Sequence, residues 1–316
     1  MRSERWSPLQ GLWRLKMMML REIAIGLSLL LMPLALHGSD LVVATWNMKW
    51  FPSGRVDLRE EANVEASRIA AAGRVLGNAW REQSRGARPG LVVCTQEMRD
   101  AEACTNLVAA MEINGLKVVA VSNFKDNGGV PYWQQTAILS TLPVLDAGYA
   151  VWSRADGVMI PRGFTWALLD DGEGPLACFC LHLKSNVNKS GTEIEDQKNI
   201  YKRESAAGQV LAMVRVFQRK FADLPLRVVV AGDFNTTEDD LIYVSEATLR
   251  SFYGAHFRSC FRDLPRERRV THPANGPHPD ATFDYILYRG FERIVSRRIY
   301  DGTCISDHNT VFLRLR

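Results

Sequence analysis

The strongest constraint on this chain is a set of strand-length runs that are apolar without interruption. "LVVATW" (41–46), "GLVVCTQ" (90–96), "PLACFCLHL" (175–183) and "LRVVVAG" (226–232) do not alternate apolar with polar residues. A strand that faces water on one side alternates with a period of two; a continuous run must be covered on both faces. Further strand-like runs at 116–122, 136–141, 164–170, 283–290 and 310–316 follow each other without a helix between every pair. Helical periodicity marks 57–80 and 195–221, and "TTEDDLIYVSEATLRSF" predicts a third helix. Thr236 or Thr237 serves there as N-cap, and Glu238, Asp239 and Asp240 read as first-turn charges rather than ligands. Strands grouped in this way predict two packed sheets with helices outside them, not one parallel sheet.

The first 39 residues read differently. "REIAIGLSLLLMPLALHGSD" sets Arg21 before an apolar run that ends in small residues at Gly38 and Ser39. That is the layout of a secretory signal with an extended start, and translation beginning at one of Met17, Met18 or Met19 would shorten it. The apolar run falls short of the ~20 residues a membrane span needs and contains Pro33. The expectation is a leader over 1–39 and one domain over 40–316, secreted or periplasmic, monomeric, with no stable membrane span once the leader is cut. Without residues 1–38 the chain keeps 34 Lys+Arg against 33 Asp+Glu, so net charge gives no argument for a nucleic-acid partner. Six cysteines in an exported chain make disulfides possible. Cys178 and Cys180 share a strand face and would form a strained bridge; Cys260 with Cys304 is the candidate pair, against buried free thiols.

Polar residues collect where the apolar runs stop: Asn47, Glu97, His182, Asp233 with Asn235, Asp284, and Asp307 with His308. Each alone has an ordinary reading as a turn cap or a satisfied core histidine. Together they amount to a carboxylate cluster with two amides and two histidines at strand ends, which one sheet edge can gather. Oxygen donors of this kind suit a hard cation such as Mg²⁺. Zinc-type Cys/His spacing, a nucleophile elbow and a Walker glycine loop are not found.

The ordered series "TWN" (45–47), "QE" (96–97), "AILS" (137–140), "HL" (182–183), "GDFN" (232–235), "DY" (284–285) and "SDH" (306–308) resembles the endonuclease/exonuclease/phosphatase superfamily, with its DNase I-like fold. The resemblance implies an α+β fold, a four-layer α/β/β/α sandwich, over nearly all of Leu41–Arg316. It implies Glu97 as principal Mg²⁺ ligand (Mn²⁺ or Ca²⁺ as alternatives), Asn47 beside it and Asp307 near the metal. Asp233 would activate water, Asn235 and His182 would contact the phosphate, and His308 would do so under the control of Asp284. Arg162 in "PRGF" would be a further phosphate contact, or else a plain surface arginine. The expected activity is an exported endonuclease, with nucleic acid as substrate and DNA ahead of RNA. A basic loop, Arg262, Arg266, Arg268 and Arg269, is available for phosphate backbones. The alternatives are a phospholipid phosphodiesterase or inositol-phosphate phosphatase, with Tyr132 and Trp133 in the one short loop suited to a lipid surface, and a non-catalytic binding module. Met48-Lys49 after "WN", Ile305 before "SDH" and Asn309-Thr310 after it depart from the DNA-repair members, and argue against abasic-site repair.

Overall fold

The computed structural model describes residues 40–55, 58–126, 128–238, 240, 243–276 and 278–316. The leader therefore lies outside the described residues. Two six-stranded sheets form the body. The first contains β1 (Leu41–Phe51), β2 (Gly90–Met98), β3 (Lys117–Val121) and β4 (Gln135–Ser140), closed by β11 (Ile294–Tyr300) and β12 (Thr310–Leu315), in the order β11-β12-β1-β2-β4-β3. The second contains β5 (Val144–Val151), β6 (Gly163–Asp170), β7 (Pro175–His182), β8 (Arg227–Asp233), β9 (Arg258–Ser259) and β10 (Asp284–Arg289), in the order β5-β6-β7-β8-β10-β9.

The continuous apolar runs are explained by a core on each side of each sheet. Along β1, Leu41 and Val43 join the core between the sheets, while Val42, Ala44, Trp46 and Met48 join a second core. That second core is covered by α1 (Ala62–Gln83) and α2 (Ala101–Met111), through Ala72, Leu76, Leu107 and Met111. The other sheet is covered by α3 (Glu193–Lys220), through Ala206, Val210, Val214 and Phe217, and by the short α4 (Thr248–Gly254). The result is the four-layer sandwich. α1 and α2 meet at Gly73, where a Cβ would fall 2.4 Å from the Ala110 carbonyl oxygen, so the approach requires glycine. α3 has the cap its sequence calls for: Thr192 accepts from Glu195 N, acids occupy its first turn, and Arg219 and Lys220 its last.

Register sets the site. Each sheet contains one parallel pair at its middle, β1 with β2 and β7 with β8. Parallel strands deliver their C-terminal ends to one edge, so Asn47, Glu97, His182 and Asp233 all arrive there. Antiparallel neighbours deliver their starts: Asp284 pairs directly with Asp233, and His308 lies two residues before β12.

Two expectations are corrected. No helix begins at Thr236 or Thr237; the helix of this region is α4, seven residues from Thr248. The preceding segment is held by tertiary bonds instead, with Glu238 on Arg269 (3.3 Å) and on Tyr253 (3.2 Å), and Glu246 buried on Arg203. These override local propensity; Asp239 lies outside the described residues. The Cys260–Cys304 bridge is not formed, and all six cysteines are free thiols. Cys260 is buried, its sulfur accepting from Ile286 N, whereas Cys304 is exposed on the turn before Ser306. Among the described residues, no helix is long and apolar enough to cross a membrane.

Candidate active site

Asp233 stands at the centre of the edge. Gly232 before it has φ +147°, and a Cβ there would lie 2.0 Å from the Leu181 carbonyl oxygen. Only glycine lets β8 come this close to β7 at the last step before the carboxylate. Asp233 Oδ1 accepts from Asn235 N (2.8 Å), and Oδ2 accepts from the side-chain nitrogens of Asn235 and Asn47, each at 3.0 Å. Asn235 takes the left-handed conformation, which asparagine tolerates. Its amide nitrogen also donates to Leu183 O (3.2 Å). The expected phosphate contact by Asn235 is thus not provided by this geometry: its amide hydrogens are committed to Asp233 and the backbone.

Glu97 enters from β2. Its Oε1 accepts from Asn47 Nδ2 (3.1 Å) and its Oε2 from Trp50 N (3.1 Å). One amide of Asn47 thereby ties the carboxylate of one sheet to that of the other. His182 Nε2 lies 3.7 Å from both Glu97 Oε1 and Asp233 Oδ2, and its Nδ1 is buried without a partner. Among the described residues, neither Glu97 nor Asp233 has an ion pair with lysine or arginine. Two largely buried carboxylates bridged by an amide, with histidines but no lysine or arginine paired to them among the described residues, make an oxygen-rich pair that fits a hard divalent cation. Burial pushes Asp233 up to about 7, with His308 opposing and Asp284 reinforcing the shift.

His308 is held on every side. Its Nδ1 lies 2.7 Å from Asp284 Oδ2, and its backbone N donates to Ser306 Oγ (3.1 Å). Trp46 Nε1 donates to its carbonyl oxygen (2.9 Å). Asp284 in turn is set by Thr271, whose Oγ1 accepts from the backbone N of Phe283 and of Asp284. His308 Nε2 points toward Asp233 Oδ2 at 4.0 Å. Burial opposes the imidazolium, yet Asp284, Asp233 and Asp307 together raise His308 to about 10. His182 goes the other way, well below the ordinary histidine range, through burial first and then Arg162, His308 and Lys184. Two histidines at one edge are therefore held in opposite protonation states.

The remaining expected residues lie at the periphery. Asp307 pairs with Lys49 (2.9 Å), which keeps its carboxyl low although burial works against it. Arg162 directs all its nitrogens into the scaffold, to the carbonyls of His182 and Leu183 and to Gln134. It is neither a plain surface arginine nor a donor left free for phosphate; it is half-buried, and the charges of Glu97 and Asp233 favour its cationic form against desolvation. Four residues escaped the sequence reading. Ser306 donates to Asn47 O (2.7 Å), and Thr271 fixes Asp284. Lys184 is lowered to about 8, by burial first and then by Lys202 and neighbouring arginines. His272 packs edge-on against His308, with ring centroids 4.9 Å apart. The proximity of "VTH" to "FDY" was the available signal for Thr271 and His272. A cleft of about 410 Å³, lined by Asn186, Asn235, Tyr243, Arg266, His272 and Phe283 among others, opens beside this edge. The acid and histidine clusters Asp233/Asp284/His308 and His272/Asp307/His308 each bring three ligand atoms within 4.8 Å of one another.

Comparison with known proteins agrees. The profile of the Endonuclease/Exonuclease/phosphatase family matches residues 44–308. No curated protein sequence matches the chain. Among solved structures, truncated TDP2 of Caenorhabditis elegans superposes with TM-score 0.58 at 14% identity, over 89% of this chain and 99% of that one. An endonuclease/exonuclease/phosphatase family protein of Leptotrichia buccalis C-1013-b gives 0.57 at 12%, over 87% and 99%. One of Beutenbergia cavernae DSM 12333 gives 0.57 at 18%, over 88% and 72%. At these identities the likeness is one of fold.

Proposed function

The chain belongs to the endonuclease/exonuclease/phosphatase family, and from that premise we propose that it is an exported Mg²⁺-dependent phosphodiesterase, an endonuclease that hydrolyses internal phosphodiester bonds of nucleic acid, DNA ahead of RNA. The observation that carries this reading is the convergence on Asp233 Oδ2. Asn47, Asn235, His182 and His308, from four separate segments, all lie within 4.0 Å of it.

A phosphodiester is an anion, and its hydrolysis needs charge neutralisation, an aligned water and a proton for the leaving oxygen. Glu97 would hold Mg²⁺, with Asn47 and Asp233 beside it. Once bound, that cation supplies charge to the phosphate oxygens and polarises the attacking water. Asp233, raised to about 7, is matched to accept the proton of that water near neutral pH. The charged His308, fixed by Asp284, presents Nε2 as a donor to the phosphate or to the leaving oxygen. The neutral His182 presents Nε2 between the two carboxylates, as a further donor that brings no positive charge to compete with the cation. Asn235 and Asn47 act on the carboxylates, not on the substrate, by fixing their orientation. A lipid-directed rival wants an exposed aromatic loop; Tyr132 and Trp133 are both half-buried.

The deciding experiment incubates the protein with supercoiled DNA, RNA, sphingomyelin vesicles and small phosphodiesters, with and without Mg²⁺. Mg²⁺-dependent nicking of DNA, lost in Asp233→Ala and His308→Ala variants that remain folded, is the expected result. Release of phosphocholine without nucleic-acid cleavage overturns the nuclease reading, and undiminished cleavage by either variant overturns the site.

A further inference from the structure

We propose that His272, His308 and Asp307 form a second cation site, suited to a borderline ion such as Zn²⁺, and that its occupation switches the neighbouring carboxylate centre off. A ligand atom of each of the three residues lies within 4.8 Å of the others. The two imidazoles meet edge to face, with centroids 4.9 Å apart, and His272 Nδ1 is buried with no hydrogen-bond partner. A histidine in a merely structural role here would be expected to satisfy that nitrogen.

The donor set differs in kind from the oxygen pair at Glu97 and Asp233. Two imidazoles and one carboxylate, with a fourth position open, are the ligands of tetrahedral zinc and not of magnesium. The support behind the ligands is in place. Asp284 Oδ2 lies 2.7 Å from His308 Nδ1, which leaves Nε2 as the ligand atom. A carboxylate behind a ligating imidazole is the usual support for such a metal. The segment bearing His272 is pinned by paired backbone bonds, His272 N to Ala281 O and Ala281 N to His272 O, both 2.9 Å. A tetrahedral ion with bonds of about 2 Å needs its donors ~3.3 Å apart, so donors separated by as much as 4.8 Å must draw in by up to about 1.5 Å. With His308 fixed, Asp307, exchanging its partly exposed Lys49 for the ion, and the half-buried His272 would supply that by side-chain rotation.

The switch follows from sharing. His308 Nε2 is the atom that faces Asp233. A cation bound to it displaces the Nε2 proton to solvent, and so withdraws the donor that the proposed hydrolysis uses. The switch thus rests on the proposed function, while the binding site does not.

The test uses the full chain carrying Cys304→Ser, because Cys304 is an exposed thiol lining a cleft with Asp307. Zn²⁺ is titrated by calorimetry with Mg²⁺ in excess, and Co²⁺ replaces zinc for visible d–d absorption. One Zn²⁺ per chain is expected, with affinity at least tenfold weaker in His272→Phe and in His272→Gln, and the Co²⁺ bands lost with it. The Phe variant keeps a ring against His308, and the Gln variant keeps a polar group should Phe fail to fold. Zinc affinity unchanged by either folded variant, or abolished by Mg²⁺ in the parent, overturns the site. In the nuclease assay, with each protein's rate taken relative to its own zinc-free value, His272→Phe should need at least tenfold more Zn²⁺ for half-inhibition. Zinc bound at His272 without inhibition of the parent overturns the switch. If no hydrolysis is found at all, the proposed function fails, and calorimetry and the Co²⁺ spectrum still decide the site.

Discussion

Asp284 Oδ2 and His308 Nδ1 lie 2.7 Å apart in a fully buried pair, and through this bond the fold sets the charge of the site. The carboxylate fixes which ring nitrogen carries its proton inward and holds the imidazole charged against burial. Asp284→Asn keeps the volume and removes the charge. His308 should then fall from about 10 toward or below the ordinary histidine value. Hydrolysis should drop by about 10²–10⁴-fold, the span of a lost general acid. The alkaline limb of the pH–rate profile should move down by several pH units, whereas a merely structural defect would lower the profile without moving it.

The acidic limb belongs to Asp233. A base raised to about 7 is protonated and inactive below that value, so without competing effects the rate should climb through pH 7. A bound cation favours the carboxylate form, so raising Mg²⁺ should carry this limb to lower pH. A limb that stays fixed across a hundredfold range of Mg²⁺ would separate the metal from Asp233.

Stability should respond to the same pair of groups. The folded pKa of Asp233 exceeds its unfolded value, so its contribution is fully present below about 4 and is lost as pH rises through about 7. His308 is also raised, and its contribution holds below the unfolded value near 6.5 and is lost as pH rises through about 10. Both trends weaken the protein on the alkaline side. Mg²⁺ should therefore raise the melting temperature more at pH 8 than at pH 5. At a concentration of 100 times its Kd the gain is about 2.7 kcal/mol. Glu97→Gln should remove most of it, as scanned by differential calorimetry.

Much of this architecture was legible in the residues, for identifiable reasons. Strands apolar on both faces can exist only inside a layered structure, so β1, β2, β7 and β8 announced the sandwich, and the polar residues toward their C-terminal ends, Asn47, Glu97, His182 and Asp233, announced its working edge. What stayed hidden depends on contacts between segments far apart in the chain. The run after Asn235 has every local sign of a helix start, and Glu238 within it bonds Arg269 and Tyr253 instead. Arg162 read equally as a phosphate contact or a surface arginine, because nothing local reveals that it reaches the His182 and Leu183 carbonyls. His272 sits in an ordinary-looking loop, and tertiary bonds bring it to His308: the pairing with Ala281 and the bond from Asn309 N to Thr271 O (2.7 Å).

Gly232 tests the close approach that seats Asp233. A Cβ at this residue would lie 2.0 Å from Leu181 O and 2.8 Å from its carbonyl carbon, both backbone atoms that cannot swing aside. Gly232→Ala should cost about 3 kcal/mol or more in urea unfolding, beyond the usual range for a single methyl. The surviving folded fraction should also be impaired in hydrolysis, because any relief of the clash shifts the Asp233 backbone. Loss of stability with unchanged specific activity would show that the approach does not position the carboxylate.

Arg203 and Glu246 test how the loops beside the cleft are held. Both are buried, joined by two hydrogen bonds of 2.8 and 2.5 Å, and Arg203 also donates to Lys184 O (3.1 Å) while Thr248 Oγ1 donates to Glu246 (2.6 Å). The pair thus anchors the segment after β7 and the segment before α4 to the body of α3. Removing one partner strands a buried charge, whereas replacing both removes the charges together. Arg203→Met alone should therefore destabilise by about 3–5 kcal/mol, and Arg203→Met with Glu246→Leu should recover most of that. Activity should separate from stability in the double variant. Lys184, Ser185 and Asn186 lose their anchor even when the fold is restored, and Asn186 donates to Asn235 O (2.7 Å) at the edge of the site. Restored stability with a reduced kcat would assign the pair a positioning role, and restoration of both would leave it a stabilising one.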